Sequence, residues 1–323
     1  MLVKRILPIV SVTLLLAASG CARTEQAAGP RAPVVALIAK SLANEFFVTM
    51  INGARHDQIT RASRYRLLVN GIRNESDVAE QVALIDQMIA MKVDALVIAP
   101  ADSKAIVPAL ARARDAGIRV VNIDVRLDRR AMDDYRIKIP YVGPDNQDGA
   151  ARVGAVAAQR LPPGAQIAIL EGVATADNSI QRTAGLVAAA KRAGLDIVTV
   201  QSADWDQTKA AALTSNILIR YPKLAAVFCA NDNMALGAAS AISQAGRQDT
   251  VKVSGFDNIS AIRPLLLDGR VTVSADQHAD ELAVYGIDVA LEELAGATRL
   301  QDHQTPVDIV TRASLLGAAG RVQ

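Results

Sequence analysis

The stretch VKVSGFDN, residues 251–258, sets alternating apolar positions ahead of an unbroken Gly255-Phe256-Asp257-Asn258. Val251 and Val253 are β-branched at period two, so Val251–Gly255 reads as a short strand. Asp257 then stands just past the strand end, where α/β proteins bind ligands. RVVNID, residues 119–124, repeats the arrangement: it follows the helix-ending Gly117 and closes on Asp124, 133 residues before Asp257. Two strands ending in carboxylates predict two similar half-molecules facing one another.

Working outward, short apolar runs alternate with amphipathic stretches of helical length, the pattern of βαβ units on a parallel sheet. The first half predicts strands at 34–39, 66–69, 95–99 and 120–123, with helices at 47–63 and 103–116 and a third between them. Asn74 is the expected cap of that third helix, whose inner face is Val78, Val82, Ile85 and Ile89. Residues 127–140, rich in Asp and Arg, read as a crossing, and the pattern restarts. Helices are expected at 145–160, 180–193, 207–220 and 234–244, and strands at 166–170, 197–201 and 225–229. VDALVIAPADSKA (93–105) and KLAAVFCANDNMA (223–235) share an apolar strand, a polar corner and a helix opening on small residues, which implies a duplicated lobe.

The first twenty residues stand apart. Lys4 and Arg5 precede the apolar run 6–18, and Ala18-Ser19-Gly20 supplies the small residues of a signal cleavage site. The run is short for a bilayer span. Ala-Ser-Gly-Cys resembles a bacterial lipobox, which would make Cys21 a lipidated first residue of a chain tethered through residues 21–33. Cys229 is then the sole cysteine of the fold, and its apolar surroundings predict a buried structural thiol. A net charge of +2 with mixed signs gives no basic stripe, so nucleic acid is not an expected partner.

The chain holds four Phe and one Trp. Phe46, Phe47, Trp205 and Phe256 all fall at predicted strand ends beside polar residues, whereas Phe228 sits inside an apolar run as core residues do. A sugar offers hydroxyls that donate and accept, and C–H ring faces; a cleft for it needs carboxylates and amides around aromatic planes. The clustering fits that requirement.

SLANEFF (41–47), ANDNMALGA (230–238) and GFDN (255–258), supported by VGPDN (142–146) and DQ (276–277), resemble the type I periplasmic sugar-binding proteins, in the ribose-binding branch of that family. The likeness extends from Val34 to about Val310. It implies an α/β fold of two doubly wound parallel-sheet lobes joined by three hinge crossings, enclosing a monosaccharide or polyol for delivery to the permease and ATPase subunits of an ABC importer. The implied divisions are a signal peptide over 1–20, a lipidated tether over 21–33, a first lobe over 34–139 plus 278–306, and a second over 140–277 plus 307–323. A monomer on the periplasmic side of the cell envelope, held to the membrane by its lipid, is expected, with no cofactor, no metal and no catalysis.

Carried over residue by residue, the resemblance implies ligand contacts from Asn44, Phe46, Phe47, Asp124, Arg182, Trp205, Asn231, Phe256, Asp257 and Gln277. Asp177 and Asn178 remain rim candidates. At Asn231-Asp232, Asn231 is favoured for the ligand and Asp232 for structure. Three departures bear on the identity of the sugar. Ribose-type members have Arg directly after the strand-four Asp, whereas here Val125 intervenes before Arg126; on an extended backbone one residue reverses the side chain. Lys40 replaces a small hydroxyl residue and is a candidate cleft donor. Trp205 enlarges a stacking face that is Phe in those members.

His56, His278 and His303 lie on no metal-ligand spacing, and there is no G-x-S-x-G elbow or phosphate-cradling Gly loop. Two other readings share the lobes. A LacI-like regulator would carry a helix-turn-helix where this chain has its signal-like segment. A sensor would present a sugar or furanosyl signal to a membrane receptor.

Overall fold

A computed structural model describes residues 31–297 and 301–319. The expected signal peptide, Cys21 and most of the tether lie outside the described residues. Five strands and four helices come first: β1 (Val34–Ser41), α1 (Glu45–Thr60), β2 (Arg66–Ile72), α2 (Val78–Ala90), β3 (Ala95–Ile98), α3 (Val107–Asp115), β4 (Arg119–Ile123), α4 (Arg129–Asp134) and β5 (Tyr141–Pro144). The series then runs α5 (Asn146–Ala158), β6 (Gln166–Glu171), α6 (Asp177–Arg192), β7 (Asp196–Ser202), α7 (Gln207–Arg220), β8 (Leu224–Cys229), α8 (Asp232–Gln244), β9 (Lys252–Ser254), α9 (Arg263–Asp268) and β10 (Val271–Asp276). The last elements are α10 (Ala279–Leu294), β11 (His303–Thr305), β12 (Asp308–Val310) and α11 (Arg312–Ala319).

The strands form two six-stranded sheets, ordered β11-β5-β4-β3-β1-β2 and β12-β10-β9-β8-β6-β7. Replacing each of β1–β5 by the strand five later turns one order into the other, so the duplication read from 93–105 and 223–235 corresponds to β3 and β8 at equivalent places. All ladders are parallel except β10 with β12. The central strands are apolar over most of their length, as parallel strands covered on both faces must be; β1 is buried from Val35 to Ser41, with polar Lys40 and Ser41 at its C-terminal end. Crossovers close by ordinary helix chemistry: Asn44, Asp77, Asp128, Asp145, Asp206 and Asn231 each cap a helix by accepting from a backbone N–H.

The chain passes between the sheets after β5, between β10 and α10, and between β11 and β12. The first passage differs from the sequence expectation, which began the second lobe at residue 140. Tyr141–Pro144 pairs in parallel with β4 and β11 and belongs to the first sheet. A four-residue strand ending in Pro resembles a linker, because Pro is tolerated at a strand terminus but gives no ladder donor. The α2 cap also moves. Asp77 holds Glu80 N, while Asn74 bonds Ser76 N and Oγ in a tight turn one step earlier.

Both sheets aim the C-terminal ends of their strands at one region. In each order the crossovers leave in opposite directions between neighbouring central strands, β1 and β3 in one sheet and β6 and β8 in the other, where open α/β sheets hold ligands.

Candidate functional site

Between the two sets of strand ends lies a small cavity, with about 220 Å³ of space not filled by atoms, part of it continuous with solvent. Six lining residues come from the first lobe: Lys40, Asn44, Phe46, Phe47, Glu75 and Asp124. Six come from the second: Asn178, Arg182, Trp205, Asn231, Asp257 and Gln277.

Backbone geometry presents several of these side chains. Asp124, Trp205 and Asp257 all have positive φ, at 62°, 65° and 121°. Non-glycine residues hold that region at a cost of about 1–3 kcal/mol, and such strain gathers at sites where surrounding structure enforces it. The enforcement is visible. Tyr141 Oη donates to Asp124 O at 3.1 Å, and Asp257 N donates to Ala275 O at 2.7 Å. Gly172 lies against the indole of Trp205, where any Cβ would overlap the ring.

Arg182 joins the second-lobe side. It is 2% exposed; its Nε donates to Asn146 Oδ1 at 2.7 Å, and its Nη1 to Ala230 O at 3.1 Å and Asp257 Oδ1 at 3.3 Å. Its guanidinium lies 3.9 Å from the Phe256 ring centroid. Gln277 Nε2 donates to the same Asp257 oxygen at 2.6 Å. Across the cavity, Lys40 Nζ pairs with Glu75 Oε2 at 3.0 Å and stands 3.9 Å from Asp124 Oδ2. Phe46 and Phe47 meet edge to face at 5.1 Å.

Burial raises Asp124 above the ordinary carboxylate range, opposed by Lys40 and Arg182 and reinforced by Glu75. Asp257 is pushed well above it by burial; Arg182 opposes, Asp232 and Asp124 add, and Gln277 opposes. The two carboxylates therefore face one cavity and feel each other. Five lining residues carry a buried polar atom with no hydrogen-bond partner: Asp124 Oδ2, Asn178 Oδ1, Arg182 Nη2, Trp205 Nε1 and Gln277 Oε1. Orphans of this kind each cost about 1–3 kcal/mol, so their convergence marks a place where a hydroxylated guest is favoured. Among the described residues no cluster of metal-ligating side chains occurs.

Most of the residues expected from the sequence converge here, and two do not. Phe256 is not in the cavity wall; its ring supports Arg182 and packs in the second-lobe core against Gly149. Arg126 points outward, bonded to Asp302 at 2.5 Å and stacked 4.1 Å from the Tyr141 centroid, because Asp124 turns at positive φ and Val125 takes the buried position. Lys40, by contrast, is 1% exposed and enters the wall. Asn44 and Asn231 do two things at once: each Oδ1 caps a helix while the residue lines the cavity. Of the rim candidates, Asn178 lines the cavity, and Asp177 N instead bonds Ser103 Oγ at 2.9 Å. Glu75 was missed, since reading Asn74 as a helix cap left the next residue without a role.

Asp232 is structural, as expected. Ser274 Oγ donates to both of its oxygens, at 2.8 and 3.0 Å, and Ile259 N to Oδ2 at 3.1 Å, fixing the loop that carries Asp257. A Cβ on Gly255 would overlap this carboxylate. Burial pushes Asp232 up to about 7 against these hydrogen bonds. A carboxyl raised in the folded state favours folding below its unfolded value of 3.8 and loses that contribution as pH rises through about 7. Asp232→Asn is therefore expected to remove up to about 4 kcal/mol of the fall in stability between pH 4 and pH 8. Denaturant midpoints across that range check it; parallel pH profiles for the two proteins would refute it.

Known proteins match this arrangement. A family model described as a periplasmic binding protein domain matches residues 35–298. The D-ribose/D-allose-binding protein of Pseudomonas aeruginosa is 50% identical over 286 residues, covering 87% of this chain and 90% of the relative. An ABC transporter solute-binding protein of Burkholderia multivorans, solved with an unknown ligand drawn as α-D-erythrofuranose, is 51% identical with a TM-score of 0.85, covering 87% of this chain and 99% of that one. Another, from Actinobacillus succinogenes with bound D-allose, is 33% identical with a TM-score of 0.83, covering 88% and 99%. With two lobes in the same winding and one small polar cavity where their strand ends meet, the chain is a member of the periplasmic binding protein family, among its ribose-binding-like proteins.

Proposed function

We propose that this protein is the solute-binding component of an ABC importer. It captures one monosaccharide or polyol of pentose-to-hexose size between two closing lobes and hands it to the permease unchanged. The observation that carries this reading is the convergence of five unpartnered buried polar atoms, from both lobes, on a small cavity walled by Phe46, Phe47 and Trp205. In the same reading Cys21 bears a lipid that tethers a monomer on the periplasmic side. The Pseudomonas, Burkholderia and Actinobacillus relatives supply the first sugars to try: D-ribose, D-allose and D-erythrose. Calorimetry with these, extended by a thermal-shift screen of pentoses, hexoses and polyols, should find at least one micromolar or tighter guest, recovered chemically intact. No binding across the screen would overturn the reading.

Closure would act by population shift, with the guest bridging lobes that separate in its absence. The lobes also touch outside the cavity. Glu45, at the start of α1, accepts from Ser260 N at 2.6 Å and Ala261 N at 3.4 Å across the crevice. Burial alone would raise Glu45, but the Ser260 and Ala261 hydrogen bonds and nearby Arg263 take it below its ordinary 4.5. A depressed carboxyl stabilises the closed form above that value and releases it as pH falls through the lowered one. Glu45→Ala should thus weaken every guest by about the same factor, roughly three- to tenfold, leaving preferences among sugars unchanged. A change in the ranking of sugars would refute the assignment.

A further inference from the structure

Two carboxylates compete for one buried ammonium at the edge of the cavity. Lys40 Nζ is 3.0 Å from Glu75 Oε2 and 3.9 Å from Asp124 Oδ2, with side-chain exposures of 1%, 8% and 2% for the three. The nearer contact is a close ion pair; the farther is an ion pair beyond hydrogen-bond range. Asp124 Oδ2 accordingly has no hydrogen-bond partner. The other Glu75 oxygen accepts from Asn44 Nδ2 at 2.6 Å, which fixes the carboxylate from the β1 side. The ammonium also stands 5.3 Å from the Phe47 centroid and 5.6 Å from that of Trp205, at the margin of the aromatic walls.

We propose that Glu75 is a positioning residue for ligand selection: it holds Lys40 off Asp124 and thereby keeps Asp124 Oδ2 free to accept a hydroxyl of the guest. The inference rests on the sugar-binding reading above. Its physical content is a choice between two bonds. With Glu75 ionised, the ammonium has a close partner and Asp124 keeps an open lone pair. With Glu75 neutralised, the nearest anion is Asp124, less than 1 Å beyond hydrogen-bond range, and a small rotation at the end of the Lys40 side chain closes the gap. The acceptor would then be occupied by protein, and the guest would have to displace it.

Glu75→Gln isolates this effect, because a glutamine Oε1 can still accept from Asn44 while the charge that attracts Lys40 is gone. Glu75→Gln is expected to weaken sugar binding by at least about tenfold. Adding Lys40→Met should restore at least about threefold of that loss, since no ammonium remains to block Asp124. A purely structural role for Glu75 predicts the opposite: a second mutation in a damaged site should leave binding as weak or weaker, and that result would overturn the proposal. A crystal structure of sugar-free Glu75→Gln gives a readout that needs no guest. Lys40 Nζ should lie within about 3 Å of Asp124 there, and a Lys40 that stays where it is would refute the inference even if no sugar on the screen binds.

Discussion

Asp257→Ala is expected to reduce sugar affinity by roughly 10²- to 10³-fold, with the sugar-free protein still folded. One oxygen of Asp257 accepts from both Arg182 Nη1 and Gln277 Nε2, so truncation removes a guest acceptor and releases two buried donors into the cavity. The guanidinium is the costly one, because a buried charge without its partner loses on the order of 2–5 kcal/mol. Stability of the empty protein should fall as well, because Arg182 is left buried without its carboxylate, although burial penalises the Asp257 carboxylate itself and its removal offsets part of that cost. Calorimetry against the best sugar, with circular dichroism as a folding control, separates the two quantities. An affinity within about threefold of the parent would show that the guest does not meet the second-lobe carboxylate, and the proposed cleft would have to be abandoned.

Much of this was readable from the chain because the signals were local and periodic. Continuous apolar runs at 34–39 and 95–99 can be little other than covered parallel strands, and the carboxylates after β4 and β9 stand where the fold directs any strand-end residue. The losses came from backbone reversals and from very short elements. Phe256 and Asp257 adjoin in sequence, and nothing in GFDN announces that Asp257 and Asn258 take φ of 121° and 52°. That turn sends the carboxylate into the cavity and leaves the ring beneath Arg182. The three-residue strands β11 and β12, on either side of Pro306, are too brief for any period to register, yet they carry the last passage between sheets. Glu75 was hidden for a different reason. Its role depends on Lys40 and Asn44, 35 and 31 residues away, and a pairing at that range has no local signature.

The second large effect falls on folding. Arg182→Met should lower stability by about 3–5 kcal/mol at pH 8, the cost of breaking a buried ion pair from one side. Methionine replaces much of the length of the arginine but none of its bonds: Asn146 Oδ1 and Ala230 O lose a donor, and Phe256 loses the cation over its face. The larger consequence is electrostatic. Asp124 and Asp257 are both raised by burial, and Arg182 is a cation that opposes the rise in each. Without it both carboxyls bind protons more tightly in the folded state than before, so the variant's deficit is greatest where they must ionise and shrinks as the pH falls and they protonate. Denaturant unfolding should therefore show a smaller difference from the parent at pH 5 than at pH 8. The same cation that a guest would use to bridge the lobes thus also lets two buried acids line one cavity. A deficit that is constant with pH, or below about 1 kcal/mol, would mean that Arg182 serves the guest alone and that the carboxylates are accommodated by some other means.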